Sequence, residues 1–115
     1  ILNHSWGSTQ QMERLVSTYP DACFITGHCT TAYADIMARY PNLFVCSCPL
    51  IPPRACEDVV AAIGADRLLF GSDLQDLPVT WGLGPILFAR LSEDQKELIL
   101  GGNLRRILEQ YSLRA

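Results

Sequence analysis

Residues 68–73 read LLFGSD, three large apolar side chains, a Gly-Ser step and then Asp73. Such a run suits a strand buried on both faces, as in parallel sheets, because no position alternates toward water. Ending it in a carboxylate is costly unless something positive stands over the acid, since desolvation penalises the charged form. Other apolar runs end in polar groups too. The expected strands are Ile1–His4, Ala22–His28, Leu43–Ser47 and Arg67–Asp73, with His4, His28, Ser47 and Asp73 at their carboxyl ends.

Helical periodicity follows each strand. Met12, Leu15, Val16 and Tyr19 fall at i, i+3, i+4 and i+7, and Tyr33, Ile36, Met37 and Tyr40 repeat that spacing. Val59, Val60 and Ile63 form a shorter stripe, and Leu104, Ile107, Leu108 and Tyr111 another full one. Each stripe predicts one apolar face against a sheet. Ser8 with Gln11 and Ser92 with Gln95 match capping boxes, while Tyr19-Pro20 and Tyr40-Pro41 mark helix stops. Gly101 and Gly102 suit a left-handed helix end, and Asn103 suits a cap that ties the C-terminal helix down.

Alternation of strand and helix predicts an α/β fold of parallel β/α units with helices outside the sheet. A flavodoxin-like domain would want a phosphate-cradling glycine loop or an acidic cluster near the first strand, and neither is present. The other solution is four consecutive units of a (β/α)8 TIM-type barrel, whose whole takes about 250 residues. Residues 1–115 then form a single domain and half of a barrel, with two open sheet edges. A longer enzyme, a separately supplied N-terminal half or a homodimer partner would each close it.

Apolar residues make up 49% and charged residues 18%, with a formal net charge of −3. These values exclude a disordered chain and the basic face that nucleic acid requires. No apolar run reaches the roughly 20 residues of a membrane-spanning helix. The cysteines, Cys23, Cys29, Cys46, Cys48 and Cys56, are odd in number and sit mainly in apolar stretches. Reduced, buried thiols and a cytoplasmic setting follow. Without a C-x2-C or second pair they are not expected to form a metal or redox site, and buried thiols are the plain reading. The chain opens at Ile1, directly on a strand, which leaves room for an earlier part of the protein or a targeting signal.

Chemistry in parallel α/β folds gathers at the carboxyl ends of the strands. Both of the chain's histidines lie there. Period-2 alternation puts His28 on one face with Thr26 and Phe24, and Asp73 on one face with Gly71 and Leu69. If these are the barrel-facing sides, imidazole and carboxylate converge. Imidazole nitrogen and carboxylate oxygen are the donors of a catalytic divalent metal, whose bound water becomes acidic enough to react near neutrality. The structural alternatives are a hydrogen-bonded histidine at each strand end and an Asp73 that only caps its turn.

The stretches GADRLLFGSDLQDLP (64–78) and LSEDQKELILGGNLRRIL (91–108) resemble the amidohydrolase-related branch of the amidohydrolase superfamily. YPNLFVCS (40–47), FITGH (24–28) and ILNHSW (1–6) resemble earlier strands of the same family. The resemblance implies the C-terminal half of a (β/α)8 barrel, strands five to eight and the terminal helices. It implies a metal-dependent hydrolase of a small C–N, ester or lactone substrate, with non-oxidative decarboxylation of an aromatic or muconate-like acid as the alternative on the same scaffold. Activity of these 115 residues alone stays open, and a non-catalytic binding or assembly module is the third reading. By the resemblance, His4 and Asp73 are metal ligands, and His28 and Asp73 are catalytic. The cofactor would be one divalent ion, zinc first, then manganese or iron, with an incomplete ligand set because the family's first-strand His-x-His lies outside the chain.

Ser47, Asp76 and Trp81 are substrate-binding candidates, against the plainer readings of a strand-end serine, loop polarity and a packed indole. Asp66-Arg67, at the other end of its strand, suits a structural ion pair. The sequence HCTT (28–31) departs from the glycines usual in the family and implies a reshaped substrate loop.

Overall fold

A computed structural model describes residues 1–4, 8–28 and 31–111. Its strands are β1 (Leu2–Asn3), β2 (Phe24–Thr26), β3 (Leu43–Cys46) and β4 (Leu68–Leu69). All pairs are parallel and the spatial order is β1-β2-β3-β4. A doubly wound sheet reverses its order at a switch point. This one runs sequentially, as consecutive units of a barrel do. The strands are shorter than the apolar runs predict, because the ladder stops before each polar end.

Six α-helices intervene among the described residues: α1 (Thr9–Thr18), α2 (Ala34–Arg39), α3 (Ala55–Ile63), α4 (Val79–Leu87), α5 (Glu93–Glu97) and α6 (Asn103–Tyr111). Helix α1 begins where Ser8 Oγ accepts from the Gln11 N–H, and it buries Met12 and Val16 one turn apart. Helix α5 carries the full reciprocal capping box of Ser92 and Gln95. No apolar stripe announced α4, which contains two glycines and Pro85. No helix of the described residues is long and apolar enough to cross a membrane.

The strands alternate between two cores. Phe24, Leu43, Val45 and Leu68 pack with Met12, Val16, Ile36, Met37, Val59 and Ile99 on the helix side. Cys23, Phe44 and Leu69 face the other way, the inner side, against Ile107 and the half-buried Tyr111 of α6. Each large side chain so buried contributes about 1.5–3 kcal/mol. The stripe predicted for α6 is therefore only half used: Ile107 is buried, but Leu104 and Leu108 are 46% and 58% exposed.

Helix α6 is anchored under the amino end of β4. Asn103 Nδ2 donates to the carbonyls of Ala65 and Leu68 at 2.7 and 2.8 Å, and Arg106 donates to that of Asp66. Asn103 thus ties the helix down by a long-range contact. The turn before it is not left-handed: Leu98–Gly102 is a π-helical segment, and Gly101 has an extended φ of 179°. That segment also covers the β4 edge, where the Phe70 N–H donates to the Ile99 carbonyl at 2.9 Å. The β1 edge differs, with Leu2 76% exposed.

Two polar groups, the half-buried Arg67 and the buried Asn42, act at the same end of the sheet. Arg67 does not pair with Asp66. Its guanidinium donates to the carbonyls of Met37, Tyr40 and Leu43 and lies over the Phe44 ring. Half-burial leaves it where several carbonyl dipoles satisfy more N–H groups than one carboxylate would. Asn42, fully buried just before β3, donates from Nδ2 to the carbonyls of Val16, Tyr19 and Ala22, while its Oδ1 has no hydrogen-bond partner among the described residues. Asn42→Ala would leave those carbonyls short of a donor. It is expected to lower stability by about 2–3 kcal/mol, read from the urea midpoint at unchanged slope.

Candidate active site

The parallel strands all end on one rim, which carries His4, His28, Ser47 and Asp73 just beyond the ladder. His4 and His28 meet there. Their Nε2 atoms are 2.8 Å apart and their rings are edge-to-face, with centroids separated by 4.4 Å. In this contact one nitrogen donates and the other accepts.

Strand alternation does not produce that meeting. Phe24 faces the helices, so by parity His28 should too, whereas Leu69 faces the inner side. The faces proposed for His28 and Asp73 are thus opposite. Backbone geometry overrides parity at both residues: φ is 51° at His28 and 52° at Asp73, two of the three non-glycine residues with positive φ among the described residues. Such residues store about 1–3 kcal/mol of strain each and cluster at functional sites. Gly27 brings the strand ends together. A Cβ there would lie 2.2 Å from the His4 carbonyl oxygen, so only glycine allows the approach.

The other candidates are spread along the rim. Ser47 is 1% exposed, and its hydroxyl accepts from the Gly71 N–H at 3.1 Å, latching β3 to β4. The Asp73 carbonyl accepts from the N–H groups of Asp76 and Leu77, closing the turn after β4. Asp76 is exposed on that turn, and Trp81 is 54% exposed on α4. Among the described residues no three of His, Cys, Asp or Glu gather closely enough to hold a metal ion, so Asp73 does not join the imidazole pair in one cluster. Cys29, Thr30 and the Ser5-Trp6 part of the first resembling stretch lie outside the described residues. Concavities on the helical surface lie elsewhere, one lined by Leu87, Glu93, Lys96 and Arg105.

Cys46 and Cys48, expected as buried thiols, are not buried. Cys23 and Cys56 are buried, as expected of structural thiols, and burial pushes the Cys56 thiol up to about 11. Cys46 and Cys48 are only half-buried, with sulfurs 3.4 Å apart. The Cys46 thiol pulls Cys48 down to about 6, and the His28 backbone N–H adds to this, against burial and the Asp73 charge. Cys48 therefore feels both the His28 backbone and the Asp73 charge. The readable signal was a shared parity with Phe44 on the inner face. Because the thiolate is the nucleophile, alkylation of Cys48 by iodoacetamide should rise with pH through a midpoint near 6, well below the ordinary cysteine value of 9.0. Peptide-resolved mass spectrometry would measure it.

Sequential parallel strands with a polar carboxyl-end rim define a protein of the β/α-barrel class. The amidohydrolase family profile matches residues 8–110, and the chain belongs to that family. No curated protein matches it. Among solved structures it is similar to an uncharacterized TIM-barrel protein from Bordetella bronchiseptica, at 25% identity and a TM-score of 0.73, over 88% of this chain and 39% of that one. It also shares the fold of 2,6-dihydroxybenzoate decarboxylase from Rhizobium, at 18% identity and a TM-score of 0.66, over 90% of this chain and 42% of that one. A complex of 2,6-dihydroxybenzoate decarboxylase with 2,6-dihydroxybenzoate aligns equally well. The chain spans about two fifths of the length of these structures.

Proposed function

We propose that the chain contributes the His4–His28–Asp73 rim of a metal-dependent hydrolase acting on a small C–N, ester or lactone substrate. The observation that supports this best is the 2.8 Å approach of the two Nε2 atoms. If an ion were bound, these two imidazole nitrogens would be the donors this chain offers it. The donor chemistry fits, and the donor count does not fill a site, since catalytic zinc takes three protein ligands. On this reading the remaining ligands come from barrel strands beyond this chain, joined at the exposed β1 edge.

When bound, the ion supplies an acidified water and polarises the scissile carbonyl. The chain's own groups do the rest. His4 and His28 aim both Nε2 atoms at one point, kept there by Gly27, and the proton shared between them would leave for both to act as donors to an ion. Asp73 accepts a proton at its carboxylate, its turn fixed by the Asp76 and Leu77 N–H groups. Ser47 keeps β3 and β4 in register. Non-oxidative decarboxylation of an aromatic acid is the second reading, supported by the fold shared with the decarboxylase.

The test is metal content and products for a barrel-length protein that includes this chain. Stoichiometric zinc, manganese or iron with hydrolysis products is the expected result. Release of carbon dioxide favours the second reading, and a metal-free, inactive barrel overturns both in favour of a binding or assembly module.

A further inference from the structure

The residue pair left unused by that chemistry is Cys46 and Cys48. They differ from the chain's other described cysteines in three respects: they are half-buried, they lie at the rim, and their sulfurs face each other at 3.4 Å with no disulfide between them. We propose that they form a redox site, a vicinal dithiol that a hydroperoxide closes reversibly to an intramolecular disulfide.

The geometry permits closure. Residues two apart have Cα atoms at most about 7.2 Å from each other, and disulfides span Cα separations of about 4.4–6.8 Å. The ladder of β3 ends at Cys46, so the backbone at Cys48 is no longer held in strand register. Ser47 between them is pinned to β4 through its own N–H to the Leu69 carbonyl and through the Gly71 N–H. Both thiols thus flank a fixed point. Gly71 gives them room: a Cβ there would sit 2.2 Å from Cys46 Sγ and 2.9 Å from Cys48 Sγ. The sulfurs need to approach by only about 1.4 Å to reach bonding distance.

The chemistry balances. One thiolate attacks the hydroperoxide, taking one oxygen to become a sulfenic acid while the O–O bond breaks and hydroxide or alkoxide leaves. The second thiol then displaces water from the sulfenic acid and forms the S–S bond. Two thiols lose two electrons and two protons, and the peroxide is reduced to water or to an alcohol and water. A ring closed over a single residue is strained, so dithiothreitol should reopen it. Closure would also move Cys48, which feels His28 and Asp73, and so alter the rim; that effect alone rests on the function proposed above.

Trypsin provides a direct readout, because the peptide 40–54, between Arg39 and Arg54, contains Cys46 and Cys48 and no other cysteine. The reduced full chain is treated with hydrogen peroxide, quenched with N-ethylmaleimide and digested without reductant. The expected result is a peptide lighter by about 2 Da than the dithiol, carrying no maleimide and restored by dithiothreitol. Phenylarsine oxide, which bridges vicinal dithiols, should protect both cysteines of untreated wild type from maleimide. A doubly alkylated peptide at a peroxide dose that oxidises glutathione would overturn the proposal. So would a sulfinic acid on one sulfur, a disulfide to Cys29, or the absence of arsenical protection. No variant is needed, so misfolding cannot imitate failure.

Discussion

His28→Ala is expected to weaken zinc binding by the chain by about a hundredfold, and His4→Ala by a similar factor. Loss of an outer-shell partner of a metal ligand already costs about 10–100-fold, and a ligand itself should cost no less. The two imidazoles approach at Nε2 without an intervening group, so either substitution removes half of the donors that this pair offers. The chain contains only two histidines, which makes the measurement clean. In proton NMR the two imidazole signals should move together on zinc titration of wild type, and the single remaining signal should hardly move in either variant. In a barrel-length protein the same changes should reduce kcat by about 10²–10⁴-fold. Unchanged zinc affinity in both variants would remove the metal from the proposed mechanism.

Gly27→Ala should be the most damaging small substitution on the rim. Its Cβ would stand 2.2 Å from a backbone oxygen, that of His4, which cannot swing aside as a side chain can. Overpacking of this kind costs about 1–3 kcal/mol, more when main chain must move, and about 3 kcal/mol is expected here. The clash lies between the two strand ends that carry the histidines, so zinc-induced NMR shifts should vanish with the stability. Gly71→Ala offers a milder contrast, since it meets the Cys46 and Cys48 sulfurs, which can rotate, and the Cys48 Cβ at 2.9 Å, which cannot. Gly84→Ala is the control. Nothing lies within 4 Å of a Cβ there, and removing a glycine from a helix interior should stabilise by about 0.5–1 kcal/mol. Urea unfolding of the three variants would order them; a Gly27→Ala protein as stable as wild type would show that the strand ends can separate freely.

Much of the fold was legible because its signals are local. The YP stops, the Ser92–Gln95 box and the apolar runs each concern a few neighbouring residues, and each reappears as a helix end or a strand. Helix α4 was missed because glycine and proline mask its period, and its fate depends on Ile86 packing into the helix-side core. Leu104 and Leu108 show the converse: a perfect stripe guarantees an amphipathic helix but not that the whole face finds a partner.

The candidate site divides the same way. That two imidazoles and an acid end their strands could be read directly, and so could the family. Which of them touch could not. Parity would have sent His28 toward the helices, and a positive φ sends it to His4 instead. The opposite end of the sheet holds the same lesson: Arg67 sits beside Asp66 in sequence yet bonds to carbonyls 24 to 30 residues away. Cys46 and Cys48 read as buried hydrophobes until β3 stopped and let their sulfurs meet.

Sequence by itself determined that β/α units follow one another, where they begin and end, and which chemical groups stand at the strand ends. Period and punctuation are properties of short segments, and burial enforces them wherever the segment folds. Tertiary structure alone decided the His4–His28 contact, the thiol pair and the long-range roles of Asn42 and Asn103. These depend on backbone torsions at single residues and on approaches between segments more than 20 residues apart, which no local pattern encodes.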